Sequence, residues 1–182
     1  ATFANMSGGS LTARNAPSIK FTSSFGGTTR PFIRLLSGGT IAVTGNAQGL
    51  VSVDRDLTSF TVSGDVNGSV VRTGGSLGTF AARNVNRSFV STGENLTAVS
   101  LSGSSFDSAF MAGFDLGADA GFGGTGVNAD RISNGNLGTV AIAGSTAVYA
   151  QHHRHWGHTR MAPEDRAAMV DARIAAVHAG LK

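Results

Sequence analysis

The feature that most constrains this chain is a short phrase that keeps returning: a small residue, one or two Gly, a small polar residue, then Leu or Ile. It reads Ser7-Gly8-Gly9-Ser10-Leu11, Ser37-Gly38-Gly39-Thr40-Ile41, Thr73-Gly74-Gly75-Ser76-Leu77 and Thr92-Gly93-Glu94-Asn95-Leu96, with a looser copy at Ser133-Asn134-Gly135-Asn136-Leu137. The anchors Leu57, Leu77 and Leu96 are 20 and 19 residues apart, and Leu137 follows after about two more periods. A fixed period of this length is the signature of a stacked repeat rather than of a chain with one closed core.

Within each unit, apolar residues alternate with Ser, Thr or Arg over short runs, as in Phe60-Thr61-Val62. Period two marks a strand with one buried face. Leu57, Phe60, Val62, Val66 and Val70 align with Leu77, Phe80, Ala82, Val85 and Phe89. Gly and Asn between the runs suit tight corners. One such turn cannot bury its own apolar face, but a stack of turns can. The expected fold is therefore mainly β: a β-solenoid, parallel β-helix-like, of about 20 residues per turn. The alternative is an antiparallel β-sandwich, which also uses short strands and frequent turns.

Two segments are expected, a repeat domain over residues 1–145 and a tail over 146–182. Segment 112–131 breaks the register and reads as a loop projecting from the stack. Its Asp115, Asp119 and Asp130 are candidate oxygen ligands for Ca²⁺, although neither an EF-hand spacing nor a nine-residue Gly/Asp repeat is present.

Composition narrows the function classes. Of 182 residues only 14% are charged, against roughly 25% in ordinary soluble domains, while 26 are Gly. A surface wetted by hydroxyls and amides suits an exported repeat protein, so secretion, the cell surface or the periplasm is the expected location. Without any Cys, disulfides and thiolate metal sites are excluded. The net charge is +3, yet Arg30, Arg34, Arg55, Arg72, Arg83 and Arg87 stand singly, so the basic patch of a nucleic-acid binder is missing. No apolar run reaches the roughly 18 residues of a membrane-spanning helix.

Several motifs imitate catalysis. Gly74-Gly75-Ser76-Leu77-Gly78 spells a nucleophile elbow. The slot of Ser76 holds Thr40, Asn95 and Asn136 in sister units, which marks a corner position, and no His in the repeats could serve as its base. Gly121-Phe122-Gly123-Gly124-Thr125-Gly126 spells a dinucleotide fingerprint without the strand and helix that motif needs. Asn67-Gly68-Ser69 is a glycosylation sequon by spelling. Asp54, Asp56 and Asp65 are the carboxylates that a glycan-active enzyme would draw on. No catalytic residue is expected.

From Thr146 the character changes. His152, His153, His155 and His158 crowd into seven residues, a set able to bind Ni²⁺, Cu²⁺ or Zn²⁺ through neutral imidazoles. Pro163, Glu164 and Asp165 suit a helix first turn, and Val170, Ile174, Val177 and Leu181 share one face. Leu137–Ala150 can be read as the apolar stretch and cleavage site of a signal peptide, or as the last solenoid unit. These competing readings predict a chimaera or open-ended fragment joined near residues 136–150.

The repeat region, residues 1–145 and most plainly 36–145, resembles the β-strand-repeat segments of very long exported bacterial proteins of the kind abundant in planctomycetes. That resemblance implies a non-catalytic structural or interaction scaffold. Its partners would be other repeat segments, envelope proteins or surface glycans. The tail, through Pro163-Glu164-Asp165-Arg166 and Asp171-Ala172-Arg173-Ile174-Ala175-Ala176, resembles the start of Spy/CpxP-type periplasmic proteins with LTxxQ motifs, although the motif itself is not within the chain. That resemblance implies metal or client binding.

Overall fold

The structure, a computed structural model, describes residues 1–152. The expected C-terminal helix lies outside the described residues.

The chain winds into a β-solenoid of about six turns, each of roughly 20 residues. Three parallel sheets run along the stack. Sheet I contains Leu50–Val53, Val70–Thr73, Phe89–Thr92 and the second half of Ser105–Ala112. Sheet II contains Leu57–Val62, Leu77–Ala82, Leu96–Leu101 and Leu137–Ile142. Sheet III is narrow, with Phe25–Gly26, Ala47–Gln48, Val66–Asn67 and Val85–Asn86, and the start of Ser105–Ala112 continuing the row. The longer strands Ser10–Phe21 and Phe32–Val43 run through a corner and serve sheets I and II in one piece. Pairing is parallel throughout this body, which excludes the sandwich.

The register follows the sequence repeat. Leu57, Leu77, Leu96 and Leu137 stand in one row, and Ile41, Phe60, Phe80, Val99 and Val140 in the next. Apart from the half-buried Leu137 and Val140 at one end, these side chains are almost wholly excluded from solvent. Phe60 stacks on Phe80 at 5.7 Å between ring centres, and Phe110 meets Phe80 edge-on at 5.6 Å. Each buried side chain of this size contributes about 1.5–3 kcal/mol.

Corners are closed by side chains. Where the backbone bends out of a strand, its N–H still needs an acceptor, and a small polar residue of the neighbouring turn supplies one. Between sheets I and II, the N–H of Ser76 donates to Asp56 Oδ1 at 2.8 Å, that of Asn95 to Ser76 Oγ, and that of Asn136 to Asn95 Oδ1. Between II and III, Asn46, Asn84 and Ser104 accept from Asp65, Ser104 and Ser145. Between III and I the direction reverses: Ser69, Ser88 and Ser108, all buried, accept from Gly49, Ser69 and Ser88 of the turn before.

This last corner also needs a left-handed residue just ahead of each serine. Gly68 fills that place with φ +57°, but one and two turns later it is filled by Arg87 and Asp107, at +48° and +46°. A side chain in that conformation costs about 1–2 kcal/mol.

Segment 112–131 does not project. Phe114–Asp115 pairs antiparallel with Arg131–Ile132, and the segment folds back over the outer face of sheet I. Phe114 and Leu116 pack there with Phe89, Ala109 and Met111 as a second small core. Its apolar residues pull it down, because sheet I offers Phe89 and Met111 outside the main core.

Leu137–Ile142 continues sheet II, and Thr146–His152 pairs with Ser105–Ala112. Residues 137–150 are thus built as solenoid, and strand structure runs seven residues past the boundary expected at 145.

Replacing Phe80 by Ala is expected to cost about 3–5 kcal/mol, because the ring fills the centre of the stack. Urea unfolding should show a lower midpoint with an unchanged slope.

Candidate functional site

Two places on the outside of the stack bring chemistry-bearing side chains together. The first is the outer row of sheet I, where register aligns Thr12, Arg34, Ser52, Arg72, Ser91 and Met111. Val71 and Thr73 point inward, so alternation turns Arg72 outward, under the folded-back segment.

Arg72 is 5% exposed, and each of its three side-chain nitrogens donates. Nε and Nη2 donate to the two oxygens of Asp115 at 2.6 and 2.9 Å, while Nη1 donates to Asp54 Oδ1 at 2.8 Å, to Ser52 Oγ and to Val53 O. Burial alone would push the guanidinium's pKa down, but its bonds to Asp115 and Asp54 more than offset that and raise it. Arg34 approaches the other oxygen of Asp54 at 3.9 Å. An ion-pair chain therefore runs from solvent at Arg34 through Asp54 and Arg72 to the buried Asp115. Ser91 Oγ donates to Phe114 O and Ser133 Oγ to Gly93 O, which ties the segment down further. Outside it, Arg14, Arg34, Thr12 and Asp54 line a shallow hollow of about 430 Å³.

The second place is the outer edge of sheet III. Gln48, Asn67, Asn86 and Phe106 stand in successive turns and, with Gly68 and Arg87, line an open groove of about 460 Å³. Asn86 Nδ2 donates to Asn67 Oδ1 at 2.9 Å. Phe106 is 52% exposed, one of two large apolar side chains so placed among the described residues.

The residues singled out by sequence are dispersed. Asp115 is committed to Arg72. Asp119, exposed, accepts the N–H of Gly121 two residues on, and Asp130 accepts that of Gly123. Among the described residues, no group of three or more His, Asp or Glu is gathered closely enough to hold a metal ion, so the three Asp do not converge as a calcium site. His152 ends the last strand, whereas His153, His155 and His158 lie outside the described residues. Ser76 Oγ donates to Glu94 Oε2 and accepts from Asn95 within its corner ladder. Asp65 makes a two-pronged pair with Arg83 and accepts from Asn84. The Arg83 bond holds the Asp65 carboxyl below the usual carboxylate range, with burial opposing it. Asp54, Asp56 and Asp65 thus serve three different sets of partners.

Sequence reasoning passed over Arg72 and the sheet III row. A signal for Arg72 existed: in the repeat alignment it falls between Ser52 and Ser91 of the turns on either side. The groove had none, because Gln48, Asn67, Asn86 and Phe106 share a row only once the turns are stacked.

Comparison with known proteins adds no relative: no protein-family profile matches the chain, no curated protein sequence matches it, and no solved structure matches it.

Removing Asp115 leaves the buried Arg72 with Asp54 as its remaining acid partner. Asp115→Ala is expected to cost about 3–5 kcal/mol, whereas the paired replacement Arg72→Met with Asp115→Leu should recover most of that; equilibrium unfolding of the three proteins measures both. The depressed pKa of Asp65 makes its contribution to stability present above about pH 4, its ordinary range, and lost as pH falls through the lower folded value. The stability difference between the parent and Asp65→Asn, followed by denaturation across pH, should accordingly shrink toward zero in acid.

Proposed function

We propose that this chain is a non-catalytic scaffold module of an exported protein, holding a rigid shape and presenting its lateral faces to partners. What carries the reading is how the chemically capable side chains are used. Ser76, Asp56, Asp65, Asp115 and Arg72, the groups that sequence or burial offers for chemistry, are each engaged in closing a corner or pinning the segment that covers sheet I. The sparse charge and the Ser, Thr and Asn corners support export. No helix among the described residues is long and apolar enough to cross a membrane.

A glycan-active enzyme is the competing reading that one observation favours, the placing of Asp54 in a hollow between Arg34 and Arg72. Glycoside hydrolysis needs a second carboxylate across the scissile bond, and Asp56, the next acid in the chain, is turned to the corner N–H of Ser76. The Spy/CpxP-type reading rests on residues that lie outside the described ones.

Incubating the full chain with a panel of neutral and acidic polysaccharides is expected to release no reducing ends and no unsaturated products. Turnover that Asp54→Asn abolishes would overturn the scaffold reading. In limited trypsin digestion, Arg34, Arg55, Arg72, Arg83 and Arg87 should all resist cleavage, since each sits in a paired strand or a laddered corner.

A further inference from the structure

We infer that the outer groove of sheet III binds an extended acidic polysaccharide, one whose sugar units carry carboxylates, lying along the stack axis. The inference rests on the scaffold reading and names the class of partner. Three properties of the groove carry it: its polar row, its aromatic end and its strained arginine.

Gln48, Asn67 and Asn86 repeat at the strand spacing of about 4.8 Å, so a chain of sugars laid along the stack meets a planar amide at each step. The bond from Asn86 Nδ2 to Asn67 Oδ1 fixes both amides. It leaves Asn67 Nδ2 as a donor and Asn86 Oδ1 as an acceptor, the pairing that neighbouring sugar hydroxyls satisfy. Phe106 closes the row with an exposed ring, a surface for the apolar face of a sugar. Such a ring beside amides that keep one donor and one acceptor fits a ligand that is polar at its edges and apolar on its faces.

Charge selects among such ligands. Arg87 lines the groove and is exposed, with no salt bridge to an acid among the described residues. Arg30 is exposed and reaches its rim, where one guanidinium nitrogen donates to Gly68 O. Asp107 is the acid on this corner, next in line after Arg87 and outside the groove lining. Two guanidinium groups against one carboxylate favour an anionic chain, and a guanidinium binds a carboxylate in two-pronged fashion.

Arg87 also occupies a left-handed position that Gly68 fills one turn earlier. The corner itself asks only for a residue that tolerates positive φ. From that position Arg87 lines the groove. This gives a variant that separates binding from folding, since Arg87→Gly removes the side chain and relieves the backbone together.

The test is calorimetric titration of the full chain with an oligogalacturonate long enough to span three turns, beside a neutral cello-oligosaccharide of equal length. The oligogalacturonate is expected to bind and the neutral chain to bind at least about tenfold more weakly. Arg87→Gly should lower the affinity about tenfold or more, the size of one lost charge-assisted hydrogen bond, with an unchanged or raised Tm. Phe106→Ala should weaken binding as well, and Arg55→Ala, at an exposed arginine on another corner, should not. No binding by the parent chain, preference for the neutral chain, or equal losses from Arg87→Gly and Arg55→Ala would each overturn the inference. Product release in the same titrations would overturn the scaffold reading and leave the binding result standing, so the two failures are distinct.

Discussion

Each corner of this solenoid faces the same demand: a backbone N–H that leaves a strand must find an acceptor in the turn next to it. Strand ladders satisfy the flat runs and most of each bend, but at each corner one N–H is met by a side chain of the neighbouring turn. Asp56, Ser76 and Asn95 answer the demand at one edge, Asn46, Asn84 and Ser104 at the second, and Ser69, Ser88 and Ser108 at the third. The apolar rows inside depend on these edges, because Phe60 meets Phe80 only while successive turns stay in register. The low charge and high Ser, Thr and Asn content follow directly, since long charged side chains could not hold such short bonds.

The segment folded over sheet I shows how a stack built from one repeated rule gains a distinct feature. In the outer row, Arg72 and Met111 stand on either side of Ser91, where Ser52 and Ser91 show that a small residue also fits. A buried cation without partners would be costly, and Asp115, at the start of the segment, meets it. Phe114, Leu116 and Phe122 then close a small core over Phe89 and Met111. This arrangement gives the flank of the solenoid a thick, covered half and an open half where Arg34 and Asp54 meet solvent.

Much of the architecture was legible because a solenoid converts sequence distance into spatial adjacency with a single constant. Once Leu57, Leu77 and Leu96 define the period, the neighbours of Phe60 and Val66 follow without further information. Ser76 could be recognised as a corner residue for the same reason. The covering segment was misread as projecting because it breaks the period, and outside the period sequence spacing carries no positional meaning. Its three Asp looked like one set of ligands by proximity in the chain, yet the fold sends Asp115 inward to an arginine 43 residues earlier and leaves Asp119 to its own turn.

By itself, then, the sequence determined the repeat, the strand faces and the small polar corners, because these depend on local alternation and a constant offset. Tertiary structure alone decided where the irregular segment lies, that Arg72 and Asp115 meet, and that Gln48, Asn67, Asn86 and Phe106 form one groove. Those features arise when outer surfaces of different turns are brought side by side. Nothing in the outward residues of a single turn records that adjacency, since only inward residues are constrained by the core they must fill.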